Sequence, residues 1–309
     1  MGTIAISGAS GDLGRRTTEV LLDRLDPRDL TLVTRHPENR VDATRRGIRV
    51  VHGDYRNPDS LDQAYAGIDA LMLISGHAVA KRIPEHRNAI AAAKKAGVRH
   101  IVYTSVAGIH PRNPTISAGD HIVTERDLQD SGLGYSILRN QTYSELFTPM
   151  AQSALESGTW LQLGNQGLVA PVSKDDIAAC AATCLLEPDR HSRVIYEITG
   201  PELLSFRDIA DMFSRLYNVP IGYKVITLEQ MYAAFDSWGI PRAFDEHSSH
   251  AAKAYGSDEI VSAYVAFEQG YHAILSHHVE FVTGRKPVAL GEIIARAKAL
   301  DFDRAAGHN

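Results

Sequence analysis

Gly8-Ala9-Ser10-Gly11-Asp12-Leu13-Gly14 is the stretch that decides the fold. It follows the apolar run Thr3–Ser7, which reads as a strand. It opens Leu13–Leu25, where apolar residues return at intervals of three and four as on one face of a helix. A turn this tight between strand and helix needs positions without a Cβ. Backbone N–H groups at the positive end of the helix then approach a pyrophosphate closely. The G-x-x-G-x-x-G spacing is wider than the G-x-G-x-x-G fingerprint. Its place between a strand and a helix nevertheless makes Gly8, Ala9, Ser10, Gly11, Asp12, Leu13 and Gly14 candidates for holding a dinucleotide.

The same alternation continues outward. Strand patterns fall at Leu30–Thr34, Arg49–His52, Ala70–Ser75, His100–Thr104 and Tyr135–Arg139, several of them near-continuous in Val, Ile and Leu. Such runs suit parallel strands covered on both faces. Helical spacing occupies Leu61–Ala66, Pro84–Ala96 and Asp120–Asp130, and Gly97 and Gly132 stand where helices end in a left-handed residue. The expected fold is α/β: a Rossmann-type doubly wound parallel sheet with a smaller, mostly helical C-terminal lobe. The division is expected at 1–150 for the dinucleotide-binding domain and 151–309 for a substrate-binding lobe. In the second part, Gly158–Gly167 reads as a hairpin or loop, and Ser173 as the cap of a helix through Leu186. Val194–Thr199 reads as a strand returning to the main sheet. Ser205-Phe206-Arg207-Asp208 forms a capping box, and Thr227–Leu300 is mostly helical.

The strand ends narrow the ligand. The second strand closes on Thr34-Arg35-His36-Pro37 with no acidic residue to take a ribose 2′-hydroxyl. The planar fork of Arg35 matches a phosphate instead, so NADPH is expected over NADH. Asp54, behind the third strand, suits either the adenine amino group or a plain turn. Ser75 and Gly76 end the fourth strand and are small enough to let a ribose and nicotinamide lie against backbone.

These residues resemble the short-chain dehydrogenase/reductase superfamily and, within it, the atypical NmrA-like branch. The likeness is closest to bacterial NAD(P)H:quinone oxidoreductases and triphenylmethane-dye reductases. Besides GASGDLG at 8–14 and Thr34-Arg35, the stretches that carry it are HRNAIAAAKKAGVRHIVYTS at 86–105, DHIVTERDLQDSG at 120–132 and LRNQTYSE at 138–145. The resemblance implies that Ser105 occupies the superfamily's serine position. It also implies that Asn140–Glu145 lines the cofactor and the mouth of the substrate pocket, with Asn140 and Tyr143 foremost. One departure matters: no tyrosine is followed four residues later by lysine. The position expected for that lysine holds His121, and the one four residues before it Ser117. A ketone reduced by hydride becomes a strongly basic alkoxide and needs a proton donor in place. A quinone, azo dye or stabilised carbocation does not. The expected activity is therefore NADPH-dependent hydride transfer to a planar electrophile, a quinone first, with His121 and Tyr143 as catalytic candidates. An NmrA-like redox sensor that binds NADP without turnover is the alternative.

Composition excludes other classes. A net charge of -5 argues against a nucleic-acid partner. No run approaches the roughly 18 apolar residues of a membrane span. The chain opens without a charged leader, so a cytoplasmic location is expected. Cys180 and Cys184 are too few for a disulfide framework and sit at helical spacing. The 14 histidines, densest at His247/His250 and His277/His278, match no metal scheme, so no metal is expected. The expected partner is the small planar acceptor, with a homo-oligomer left open.

Overall fold

A computed structural model describes residues 2–243 and 256–306. β1 (Ile4–Ser7) enters the glycine turn and α1 (Asp12–Leu22) leaves it. The alternation continues through β2 (Leu30–Thr34), α2 (Val41–Arg45), β3 (Arg49–His52), α3 (Pro58–Ala64), β4 (Ala70–Leu73) and α4 (Arg82–Ala96). β5 (His100–Val106), α5 (Ile116–Asp130) and β6 (Gly134–Asn140) follow. The chain then forms α6 (Phe147–Ser157), β7 (Thr159–Gln162), β8 (Leu168–Val169), α7 (Lys174–Leu186) and β9 (Val194–Ile198).

Seven strands make one sheet in the order β3-β2-β1-β4-β5-β6-β9, and the pairs from β3 across to β5 are parallel. The strand order reverses between β1 and β4, and at such a switch point an open α/β sheet leaves a crevice at its carboxyl edge. β1, β2 and β4 are buried along their whole length, as strands covered on both faces must be. β3, on the sheet edge, exposes its end residues. One core cluster joins Val33, Leu61, Leu71, Ile101 and Ile137 to the helix residues Ala89 and Ala93.

The chain divides into two compact units. The first takes the residues up to Pro111, then Ser117–Arg139 and Asp175–Tyr196. The second takes Arg112–Ile116, Asn140–Lys174 and the residues from Glu197 onward. The division thus falls at several points of the chain rather than at residue 150 alone, because α7 and the start of β9 return to the first unit.

The second unit adds β10 (Leu204–Ser205), α8 (Phe206–Tyr217), β11 (Gly222–Val225), α9 (Leu228–Ser237), α10 (Ser257–Glu268), α11 (His278–Thr283) and α12 (Leu290–Ala306). Gly158–Gly167, expected as a hairpin or loop, is strand in its first half and loop in its second. Its first half is β7, which pairs in parallel with β11, a partner too distant in sequence for a local turn reading to find. The capping boxes at Ser205/Asp208 and Thr227/Gln230 are both made, and Phe206, Phe213, Trp160 and Phe267 fill the unit's core.

Candidate active site

The glycine turn is built by its neighbours. Gly8 has φ +82°, a left-handed conformation that a side chain disfavours. The amides of Gly8 and Ala9 both donate to the Val33 carbonyl, at 3.2 and 3.3 Å, which anchors the turn to β2. A Cβ on Gly14 would come within 2.8 Å of the Ala9 Cα, so α1 packs onto the turn at a distance that only glycine allows. No side chain caps the helix at Gly11, while Ser10 and Asp12 are exposed and Ala9, Leu13 and Gly14 are buried. These features suit a dinucleotide pyrophosphate: close backbone, an uncapped positive helix end, and no bulk in the way.

A residue that sequence reasoning missed completes the cradle. Arg40 is buried, and its Nη1 donates to the Ala9 carbonyl at 2.6 Å while its Nε reaches Asp42 at 3.3 Å. Nothing in its local pattern marked it, because its partner lies far back in the turn.

At the ends of β2, β3 and β4 the expected residues gather within the first unit. Arg35 is exposed and makes no hydrogen bond or ion pair among the described residues. Asp54 accepts from the Arg56 amide at 2.9 Å, and both of its oxygens accept from the Arg56 guanidinium. Arg56 thereby holds the Asp54 carboxyl below the usual carboxylate range. The Ser75 amide donates to Thr104 Oγ1 at 2.9 Å. Gly76 is gripped on both sides of its peptide: its amide donates to His86 Nε2 at 3.1 Å and its carbonyl accepts from Arg82 Nε at 2.6 Å.

Ser105 and His121 sit deeper. Ser105 donates to Glu125 at 2.6 Å, and Glu125 takes two hydrogen bonds from Arg139, a closed and mostly buried triad. His121 is buried, with Nε2 at 3.2 Å from Arg82 Nη1 and Nδ1 at 2.7 Å from the Tyr103 hydroxyl. Arginine can only donate, so Nε2 carries no proton and the ring's one proton sits on Nδ1, shared with Tyr103. Burial, and after it the Arg82 charge, keep His121 well below its ordinary pKa and therefore neutral. The same two causes bring His86 down to about 3. An imidazole in this state ties neighbours together better than it gives up a proton.

The other two candidates belong to the second unit. Asn140 ends β6 almost fully buried, and among the described residues neither its amide nitrogen nor its amide oxygen has a hydrogen-bond partner. An unsatisfied buried amide costs roughly 1–3 kcal/mol. Tyr143 bridges to Val172 through its backbone, and the Lys174 ammonium stands 5.6 Å from its ring centroid. His247 and His250 lie outside the described residues. Among the described residues no group of three or more His, Cys, Asp or Glu is placed to hold a metal, and no helix is long and apolar enough to cross a membrane.

The chain is similar to known NAD(P)H-binding proteins. A family described as NAD(P)H-binding matches residues 8–188. Quinone oxidoreductase 2 of Escherichia coli (strain K12) is 35% identical over 239 residues, covering 77% of this chain and 82% of that protein. The crystal structure of an NADPH-dependent quinone oxidoreductase from Escherichia coli, complexed with NADPH, superposes with a TM-score of 0.87 at 30% identity, covering 96% of this chain and 99% of that one. The Citrobacter sp. triphenylmethane reductase complexed with NADP(H) superposes with a TM-score of 0.84 at 27% identity, covering 96% and 99%. The chain belongs to the NAD(P)H-binding family and is an NAD(P)H-dependent oxidoreductase.

Proposed function

We propose that this oxidoreductase takes NADPH in preference to NADH and passes hydride to a planar electrophilic acceptor, a quinone before a dye. The observation that carries the choice of acceptor is the closure of the proton-bearing groups on β5 and α5. Ser105 is committed to Glu125, which Arg139 holds in turn, and Tyr103 to His121, whose other ring nitrogen meets Arg82. An alkoxide formed there would find no donor ready, whereas a reduced quinone is a far weaker base and leaves with solvent protons.

Bound NADPH supplies the hydride. The chain's own residues hold and orient it. The amides around Gly8–Gly14 receive the pyrophosphate, and Arg40 fixes the Ala9 carbonyl of that turn. Arg35, exposed and with no hydrogen bond or ion pair among the described residues, takes the 2′-phosphate. Ser75 and Gly76, locked by Thr104, His86 and Arg82, give a flat wall of backbone to the inner ribose and nicotinamide. His121 acts as a positioning residue: it orients Arg82, which in turn holds Gly76. Asn140 offers its unpartnered amide to a ligand carrying both donor and acceptor, as a carboxamide does. Tyr143, with Lys174 over its ring, is assigned to the acceptor. The named activities of the similar proteins, on quinones and on triphenylmethane dyes, support this order of acceptors.

The test is turnover with NADPH against a panel of quinones, triphenylmethane dyes and simple ketones, followed by loss of reduced-nicotinamide absorbance. Quinones should be reduced fastest and ketones not at all. Measurable NADPH binding with no consumption above the blank for any acceptor would defeat the enzyme reading and favour a cofactor-reading regulator.

A further inference from the structure

Helix α4 carries Arg82, Glu85 and Asn88 at intervals of three, which places them on one face. The two outer residues are committed to backbone. Arg82 holds the Gly76 carbonyl at 2.6 Å, and Asn88 Nδ2 donates to the Tyr55 carbonyl at 2.9 Å. The face therefore spans from the end of β4 to the turn behind β3. Glu85, between them, is half-buried and makes no hydrogen bond or ion pair among the described residues. Its carboxylate lies against Gly76, where an added Cβ would fall 2.9 Å from Oε2. Asp54, Arg56 and Arg35 are near enough for their charges to act on it.

A half-buried carboxylate without a donor is costly, and the cofactor geometry says what would supply one. In a sheet of this order the dinucleotide crosses the carboxyl edge at the switch point, with its adenosine half over the first three strands. With the pyrophosphate at Gly8–Gly14 and the 2′-phosphate at Arg35, the base falls between the turn behind β3 and the start of α4. A carboxylate only accepts, and the adenine ring's exocyclic donor is its 6-amino group. Asp54 is poorly placed for the task because Arg56 already occupies both of its oxygens. We infer that Glu85, on α4, is the residue that recognises the adenine 6-amino group and sets the protein's selectivity for an adenine dinucleotide. The inference rests on the placement of the 2′-phosphate at Arg35 proposed above.

Binding of NADPH is to be compared with binding of its 6-deamino analogue, in which a hypoxanthine carbonyl replaces the amino group, using the fluorescence of the reduced nicotinamide. The wild-type protein should bind NADPH about 10-fold more tightly than the analogue, the value of one hydrogen bond to a charged group. Glu85→Ala should bring that ratio to about one by weakening NADPH alone. Glu85→Gln keeps the shape and offers N–H donors to the hypoxanthine carbonyl, so it should lower the ratio as well. Asp54→Asn should keep it. A wild-type ratio near one, a ratio retained in both Glu85 variants, or a ratio lost in Asp54→Asn instead would overturn the assignment. Failure of every acceptor in turnover would defeat the reductase reading and leave this binding ratio standing, so the two failures are distinguishable.

Discussion

Replacing Arg35 by alanine isolates the 2′-phosphate contact, because the native side chain makes no hydrogen bond or ion pair among the described residues. It is exposed and bonded to no described residue, so folding stability should stay within about 0.5 kcal/mol of wild type. A bidentate arginine–phosphate pair contributes roughly 1.5–3 kcal/mol. Exposure to solvent and salt removes part of that, leaving about 1.5–2 kcal/mol, or about 10- to 30-fold in the Kd for NADPH. The Kd for NADH should be unchanged, since its 2′-hydroxyl asks nothing of a guanidinium. Arg35→Asp should go further and favour NADH, because a carboxylate repels the phosphate and accepts from the hydroxyl. The assay is Kd and kcat/KM for both cofactors at low and high ionic strength. The wild-type advantage of NADPH should shrink with salt, and that of Arg35→Ala should be small throughout. Equal losses for NADH and NADPH, or an NADPH preference that survives the alanine, would remove Arg35 from this role.

Two further outcomes follow from buried polar groups. Asn140→Leu removes an amide with no partner, so the melting temperature should hold or rise while NADPH affinity or turnover falls at least about 10-fold; a variant with full activity would show that the amide serves no ligand. Acid should unfold the protein early. His86 is brought down to about 3 and His100 and His272 to about 4, chiefly by burial, against an ordinary 6.5. As the pH falls below about 6.5 these rings take protons only in the unfolded chain. Stability complete above that point is therefore lost at about 1.4 kcal/mol per pH unit for each ring, until the folded values are reached. Asp120 and Glu85, whose carboxyls are raised by burial, oppose the trend, but two acids do not offset three histidines. Denaturant midpoints should drop steeply between about pH 6 and pH 4.5, and a flat profile there would mean that these rings accept protons in place.

What could be read from the chain and what could not separate by the range of the interactions involved. The glycine turn was legible because its local backbone geometry is written in neighbouring residues. Arg40, His86 and Glu85 were not, since each acquires its role from a residue met only after folding: Ala9 for Arg40, the Gly76 amide for His86, the Gly76 backbone for Glu85. The pairing of β7 with β11 was hidden for the same reason, since the glycine-rich run allowed a hairpin or a loop and said nothing of a distant strand.

His121 shows why a position without its surroundings misleads about chemistry. Its place in α5, where a lysine would be expected, made it a natural proton donor, and an imidazole in water would be one. In the folded chain Arg82 claims one ring nitrogen and Tyr103 the other, and burial withholds the second proton altogether. That arrangement ties Arg82 and Tyr103 to one buried ring. Arg82 is held by His121 and itself holds Gly76, and His86 on the same helix holds the other side of that peptide. Rigidity of this kind suits hydride transfer, in which the reacting carbon must be placed within a few tenths of an ångström and no acid is required. The lost tyrosine–lysine pair and the closed histidine network thus point to the same chemistry: an acceptor that needs positioning more than it needs protons.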